Sequence, residues 1–86
     1  MAVAIALEVR FFARLREQSG VETEAFQVAA GSTLADVYEG LRRRHPALEG
    51  NRGAVRGAIN REFAEWDASV SEGDEVAFIP PVSGGI

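Results

Sequence analysis

From Val3 to Phe11 the odd positions Val3, Ile5, Leu7, Val9 and Phe11 are all apolar, and a period of two predicts a strand with one buried face. Its other side, Ala4, Ala6, Glu8, Arg10 and Phe12, is mixed. Ala13 to Ser19 carries Ala13 and Leu15 among Arg14, Arg16 and Glu17, the pattern of a helical turn or short helix that ends near Gly20. A second strand is expected from about Thr23 to Val28, with Phe26 and Val28 on one face. Gly31-Ser32-Thr33 then breaks the alternation, and Thr33 with Asp36 three residues on resembles a capping box that opens a helix. Leu34, Val37, Tyr38 and Leu41 follow at the spacing of a single apolar stripe. The stripe should end near His45, because Pro46 disfavours helical geometry in the residue before it.

Ala47 to Gly53 reads as loop, and Ala54 to Ile59 as a third strand weakened by Gly57. Asn60-Arg61-Glu62 reads as its turn. Phe63 to Val70 is irregular with room for one short strand, and Ser71-Glu72-Gly73-Asp74 is a turn. The last strand, Glu75 to Ile79, is stopped by Pro80-Pro81, which removes two ladder donors. The order is ββαββ, which buries one face of a mixed sheet under one main helix in an α+β two-layer arrangement. The apolar content of the first and last strands makes them the central pair, side by side and parallel, with the helix in a right-handed crossover. That arrangement is the ubiquitin-like β-grasp. Residues 1–79 are expected to form this domain and residues 80–86 an exposed C-terminal Gly-Gly tail projecting from a rigid central strand.

Composition narrows the chemistry. Eighty-six residues make one small domain, too short for two cores. There is no cysteine, which removes disulfides, thiolate metal sites and cysteine nucleophiles. The single histidine, His45, cannot build a metal site of imidazoles, and no metal site is expected. All nine basic residues are arginine, so Schiff-base chemistry is confined to the N-terminal amine. A formal net charge of -4 disfavours a nucleic-acid partner. No segment approaches the roughly 20 apolar residues of a membrane span, and the N-terminus lacks the basic region and cleavage site of a signal peptide. A cytoplasmic location without membrane contact is expected.

Few groups remain to do chemistry, and the conspicuous candidate is an end. Pro80-Pro81-Val82-Ser83-Gly84-Gly85-Ile86 is a stretch with no charged side chain and, at Gly84 and Gly85, no side chain at all. Gly84-Gly85 can thread a channel too narrow for other dipeptides, while Pro80-Pro81-Val82 holds an extended, preorganised stalk. Arg42-Arg43-Arg44 reads as last-turn cations that complement the helix dipole, and His45 as a helix-end residue. Trp66, with Phe63, is expected to pack against an edge of the core. Glu72, Asp74 and Glu75 read as solvated turn charges.

Three stretches carry a resemblance. The run Gly73-Asp74-Glu75-Val76-Ala77-Phe78-Ile79-Pro80-Pro81-Val82-Ser83-Gly84-Gly85 resembles the C-terminal signature of the small subunit of molybdopterin synthase, the MoaD sulfur carriers. Val9 to Glu17 is similar to that family's opening motif, and Ala58-Ile59-Asn60 to its mid-chain Ala-Val-Asn. The resemblance implies a sulfur-donating subunit that is not a catalyst alone, binds no cofactor, and relies on a partner for catalytic side chains. Its terminal glycine carboxylate is adenylated by a MoeB-like, ATP-using activating enzyme and converted to a thiocarboxylate. The large, MoaE-like subunit then receives the tail, and the sulfur passes to cyclic pyranopterin monophosphate in molybdenum cofactor biosynthesis. Carried over by residue, Gly85 is the thiocarboxylate carrier and Gly84 its steric companion. Phe12, Arg16, Phe78, Ile79, Pro80, Pro81 and Val82 match positions that face partners or lead into the tail, and a hydrophobic patch around Phe12 and Ile79 is the expected partner surface.

The family pattern ends at the second glycine, whereas this chain continues to the β-branched Ile86, which sets the carboxylate about 3.3 to 3.6 Å too far along. Removal of Ile86 by a peptidase is therefore expected before activation. A ubiquitin-like protein modifier, and a sulfur carrier for another pathway such as thiamine or cysteine synthesis, stand as alternatives.

Overall fold

The alternation at the start of the chain is realised as strand β1 (Ala4–Phe11), in which Ile5, Leu7, Val9 and Phe11 are buried. The computed structural model describes residues 3–81. A short helix α1 (Ala13–Ser19) follows and ends at Gly20, whose φ of 82° and N–H bond to the Arg16 carbonyl make a left-handed cap that glycine adopts without a Cβ clash. Strand β2 (Thr23–Ala29) returns antiparallel to β1. Helix α2 (Leu34–Arg44) comes next, and a single 3-10 turn at Arg52–Ala54 leads into β3 (Arg56–Ile59). Strands β4 (Glu62–Ala64) and β5 (Glu75–Ile79) complete one five-stranded sheet in the order β2-β1-β5-β3-β4. The central strands β1 and β5 are parallel, with Val9 opposite Val76 and Phe11 opposite Phe78. This is the ubiquitin-like β-grasp, a mixed sheet with two helices.

Helix α2 starts where Thr33 and Asp36 cap it reciprocally: Asp36 N–H donates to Thr33 Oγ1 at 3.2 Å and Thr33 N–H to Asp36 Oδ2 at 3.0 Å. Further N-terminal donors are satisfied from outside the helix, Leu34 N–H by the Ala68 carbonyl and Ala35 N–H by that of Trp66, both at 2.9 Å. The irregular segment before β5 thus wraps the helix start. Leu34, Val37, Tyr38 and Leu41 are all fully buried, and face Val9, Phe11, Val76 and Phe78 of the central strands within one core. Gly57 in β3 is the contact point of the two layers. A Cβ there would meet the side chain of Leu34, with Cγ at 3.1 Å, so the residue that weakens the strand lets the helix sit close.

Two expectations are corrected. Val3 falls outside β1 and is 68% exposed, since the sheet's buried face begins at Ile5. Phe63 does not accompany Trp66 into the core. It lies in β4 and is 63% exposed, whereas Ala64 and Trp66 pack against the buried cluster from the other side. Alternation along this edge sends neighbours to opposite faces. Among the described residues no helix is long and apolar enough to cross a membrane.

Candidate functional site

Helix α2 covers one face of the sheet, and the opposite face carries a groove of about 340 Å³ lined by Arg10, Phe12, Ala58, Arg61, Phe63, Glu75, Ala77 and Ile79. Pairing register explains its shape. Arg10 stands opposite Ala77, Ala77 opposite Ala58, and Ala58 opposite Phe63, so two alanines form a low floor across the centre of the sheet. Phe12, Ile79 and Phe63 rise around it. The small-side-chain row makes the depression, and the flanking large side chains make it apolar.

Local backbone geometry holds the walls in place. Phe12 N–H donates to the Phe78 carbonyl at 3.1 Å, which extends the β1–β5 ladder one residue beyond β1 and keeps Phe12 on the same face as Arg10. The next residue, Ala13, has φ of 53°, a left-handed conformation that costs a non-glycine residue about 1 to 2 kcal/mol. That turn takes the chain off the sheet and leaves Phe12 42% exposed. On the opposite wall, Asn60 and Arg61 have φ of 52° and 73°, the paired positive values of a tight two-residue hairpin. The turn is pinned by Asn60 Nδ2 donating to Asp74 Oδ1 at 2.9 Å and by Glu75 N–H donating to Asn60 Oδ1 at 3.0 Å.

Charge is placed at one end of the groove. Arg10 Nε lies 2.6 Å from Glu75 Oε2, a charge pair without an aligned N–H donor, and Arg61 Nε lies 3.4 Å from Glu75 Oε1. The Arg56 guanidinium carbon lies 4.3 Å from the Phe63 ring centroid, a cation–π contact on an exposed aromatic. These exposed pairs orient the rim and contribute little stability.

Of the residues expected to serve a partner, Phe12 and Ile79 line the groove, Arg16 is exposed on α1, and Pro80 and Pro81 follow the end of β5. Phe78 is different. It is fully buried, with its ring centroid 4.9 Å from Tyr38, 6.1 Å from Trp66 and 6.3 Å from Phe11. Its side chain faces the core and not a partner, because β5 alternates and it is Glu75, Ala77 and Ile79 that point to the open face. Val82, Gly84, Gly85 and Ile86 lie outside the described residues. Sequence reasoning missed Ala58, Ala77 and Phe63 as groove residues. Period-two alternation in β5 and β4 contained them, but the cross-strand register that joins them did not appear in the chain.

The remaining polar candidates are structural. Glu24 binds His45 Nε2 at 2.6 Å through Oε1 and Arg44 through Oε2, tying the end of α2 to β2. Arg42 pairs with Glu39 at 3.2 Å. Glu72 and Asp74 accept backbone N–H bonds from Ala6 and Ser71 at 2.9 and 2.8 Å. No metal-holding cluster of His, Cys, Asp or Glu occurs among the described residues.

Residues 9–85 match the family model described as ThiS family. The molybdopterin synthase sulfur carrier subunit of Arabidopsis thaliana is 38% identical over 82 residues, covering 95% of this chain and 85% of that protein. Small archaeal modifier protein 1 of Haloferax volcanii is 37% identical, covering 92% of this chain and 100% of that protein. Its crystal structure superposes with a TM-score of 0.80, covering 93% of this chain and 99% of that one. A solved complex of subunits 1 and 2 of the molybdopterin-converting factor from Helicobacter pylori contains a chain 26% identical, with a TM-score of 0.62 and coverage of 94% and 100%. With the β-grasp topology, a core central strand leading into the terminal stretch, and a match running to Gly85, the chain belongs to the ThiS family, within the ubiquitin-like sulfur carriers related to MoaD and the small archaeal modifier proteins.

Proposed function

We propose that this chain is the sulfur-carrying small subunit of a molybdopterin synthase, and that it donates sulfur from a thiocarboxylate on Gly85 to cyclic pyranopterin monophosphate. The observation that carries the reading is a junction. The central strand β5 ends at Ile79 on the wall of an apolar groove, and Pro80-Pro81-Val82-Ser83-Gly84-Gly85 continues from that point. A rigid strand, a stiff dipeptide and two residues without side chains form a probe. The groove beside its root is a docking face for the protein that receives it.

The chemistry follows from the lack of a strong nucleophile on the body. A carboxylate is a poor electrophile. Its attack on the α-phosphate of ATP, within a MoeB-like activating enzyme, gives a mixed anhydride and releases pyrophosphate. Sulfur at the sulfide level, supplied as hydrosulfide, then attacks the carbonyl carbon, the C–O bond breaks as AMP leaves with the electron pair, and the S–H proton passes to solvent to leave a soft thiocarboxylate nucleophile. A MoaE-like large subunit supplies the catalytic side chains, a role consistent with the two-subunit Helicobacter pylori assembly. Phe12, Ile79 and the exposed Arg16 are the docking residues of this chain, and Gly84 is the threading residue beside Gly85.

The family match stops at Gly85, one residue before Ile86, which supports peptidase removal of Ile86 before activation. The kinship to small archaeal modifier protein 1 supports a second reading, in which the same activated tail is joined to a lysine of another protein. Reconstitution with an activating enzyme and a large subunit separates the two readings. Intact mass should show loss of Ile86 followed by exchange of one oxygen for sulfur, and Gly84→Ala or Gly85→Ala should abolish dithiolene formation while leaving the melting temperature unchanged. Full activity of either alanine variant refutes threading, full-rate adenylation of a chain that keeps Ile86 refutes clipping, and isopeptides without dithiolene product favour the modifier.

A further inference from the structure

The reading above puts an acylating group, first an acyl adenylate, on the end of this chain. Such a group is consumed by any amine, thiolate or activated hydroxyl it meets. In aminolysis the carbonyl carbon gains a C–N bond and loses its C–O bond, AMP departs with the electron pair, and the amine proton passes to solvent. The identity of the acceptor is then decided by which nucleophiles the tail can reach.

We propose that this protein is built as a one-way acyl donor: its body offers the activated tail no amine or thiol side chain as acceptor. The inference rests on the activation assigned above and concerns what that activation cannot consume. Cysteine and lysine are absent and all nine basic side chains are guanidinium groups, which stay protonated at any ordinary pH and do not attack carbonyl carbon. The guanidinium groups still perform the ionic and stacking tasks a lysine would share, as in Arg10 with Glu75, Arg42 with Glu39 and Arg56 over Phe63.

The other side-chain nucleophiles are held back. The Tyr38 ring is fully buried, its hydroxyl donates to the Glu49 carbonyl at 2.7 Å, and burial pushes its pKa up to about 12, so no phenolate forms near neutrality. His45 Nε2 is held by Glu24 Oε1 at 2.6 Å. Serine and threonine hydroxyls are weak acceptors unless a base deprotonates them, and Ser19 and Thr33 are engaged with backbone groups. Because β1 and β5 are parallel, with Phe11 opposite Phe78, β5 ends at the opposite end of the sheet from the start of β1.

The consequence is that an activated copy does not acylate the side chains of its own body or of another copy. Arg56 shows how little separates this from the opposite behaviour. It stands opposite Ile79 in the β3–β5 register, beside the point where the tail leaves, and an amine there would see the acyl group at the millimolar effective concentration of a short tether.

The test bypasses the activating enzyme, so that it stands or falls separately from the sulfur-carrier reading. The full chain and the same chain ending at Gly85 are each released from an intein as a C-terminal thioester and incubated alone at mildly alkaline pH. Aminolysis now breaks C–S and releases a thiol. Intact mass and peptide mapping should find no amide on any side chain of either. Arg56→Lys, or Arg61→Lys on the most exposed arginine of the rim, should yield at least about tenfold more amide, as lactam or dimer. Circular dichroism confirms that each variant is folded. A lactam or dimer from the unsubstituted chain, mapped to any side chain, overturns the proposal. So does failure of both folded lysine variants to form amide.

Discussion

Replacing Phe78 by alanine separates the core from the docking face in a single experiment. The ring is fully buried and packs against Tyr38, Trp66 and Phe11. Loss of a buried phenylalanine costs about 3 to 5 kcal/mol through lost transfer energy and the cavity left behind, and three aromatic neighbours place this site toward the upper end. A domain of this size has roughly 4 to 13 kcal/mol in total. At about 4 to 8 °C per kcal/mol for a chain of under 100 residues, Phe78→Ala should lower the melting temperature by at least about 12 °C. Its neighbours on the open face, Phe12→Ala and Ile79→Ala, should each shift it by only a few degrees and instead weaken binding of the large subunit by roughly tenfold or more. Thermal unfolding by circular dichroism and titration calorimetry supply the two readouts. A Phe78→Ala protein that melts within 3 °C of the parent, by the same estimate, yet binds its partner poorly would show that Phe78 faces the partner and that the register described for β5 is wrong.

Two further outcomes follow from the capped helix and the buried phenol. Thr33→Ala removes the side-chain acceptor of the α2 capping box and should cost about 1 kcal/mol in urea unfolding. The Thr33 backbone N–H, then the Thr33 hydroxyl, hold the Asp36 carboxyl below its ordinary 3.8. Its contribution is therefore complete above that value and is lost as pH falls through the depressed one, so Asp36→Asn should flatten the acid limb of the stability profile. Tyr38→Phe deletes the hydroxyl bonded to the Glu49 carbonyl and should cost about 1 kcal/mol. In the parent the phenol is raised from 10.0 to about 12, so folding stability should fall as pH rises through that window. The same fall in Tyr38→Phe would exclude this phenol as its source.

The elements themselves were legible in the chain. β5 runs from Glu75 to Ile79 and α1 from Ala13 to Ser19, as alternation and charge placement require, and the Thr33–Asp36 box opens α2 where the spacing puts it. Local signals suffice there because periodicity, capping and proline act within a few residues. The stripe of Leu34, Val37, Tyr38 and Leu41 was likewise sufficient to identify the buried face of the helix. The terminal glycines and the missing lysines are facts of composition, and no fold is needed to read them.

The groove was decided elsewhere. Ala58 and Ala77 are unremarkable in sequence and become a floor only when β3 pairs with β5 in one register. Phe63 and Trp66 are three residues apart, yet the sheet sends one to the open face and the other to the core. Phe78 and Ile79 are adjacent and part in the same way. A strand pattern states that alternate residues differ, but which side is covered depends on where α2 lands, and that is set by contacts between residues far apart in the chain. The placement of the start of β1 and the end of β5 at opposite ends of one sheet is also tertiary, since it follows from their parallel pairing.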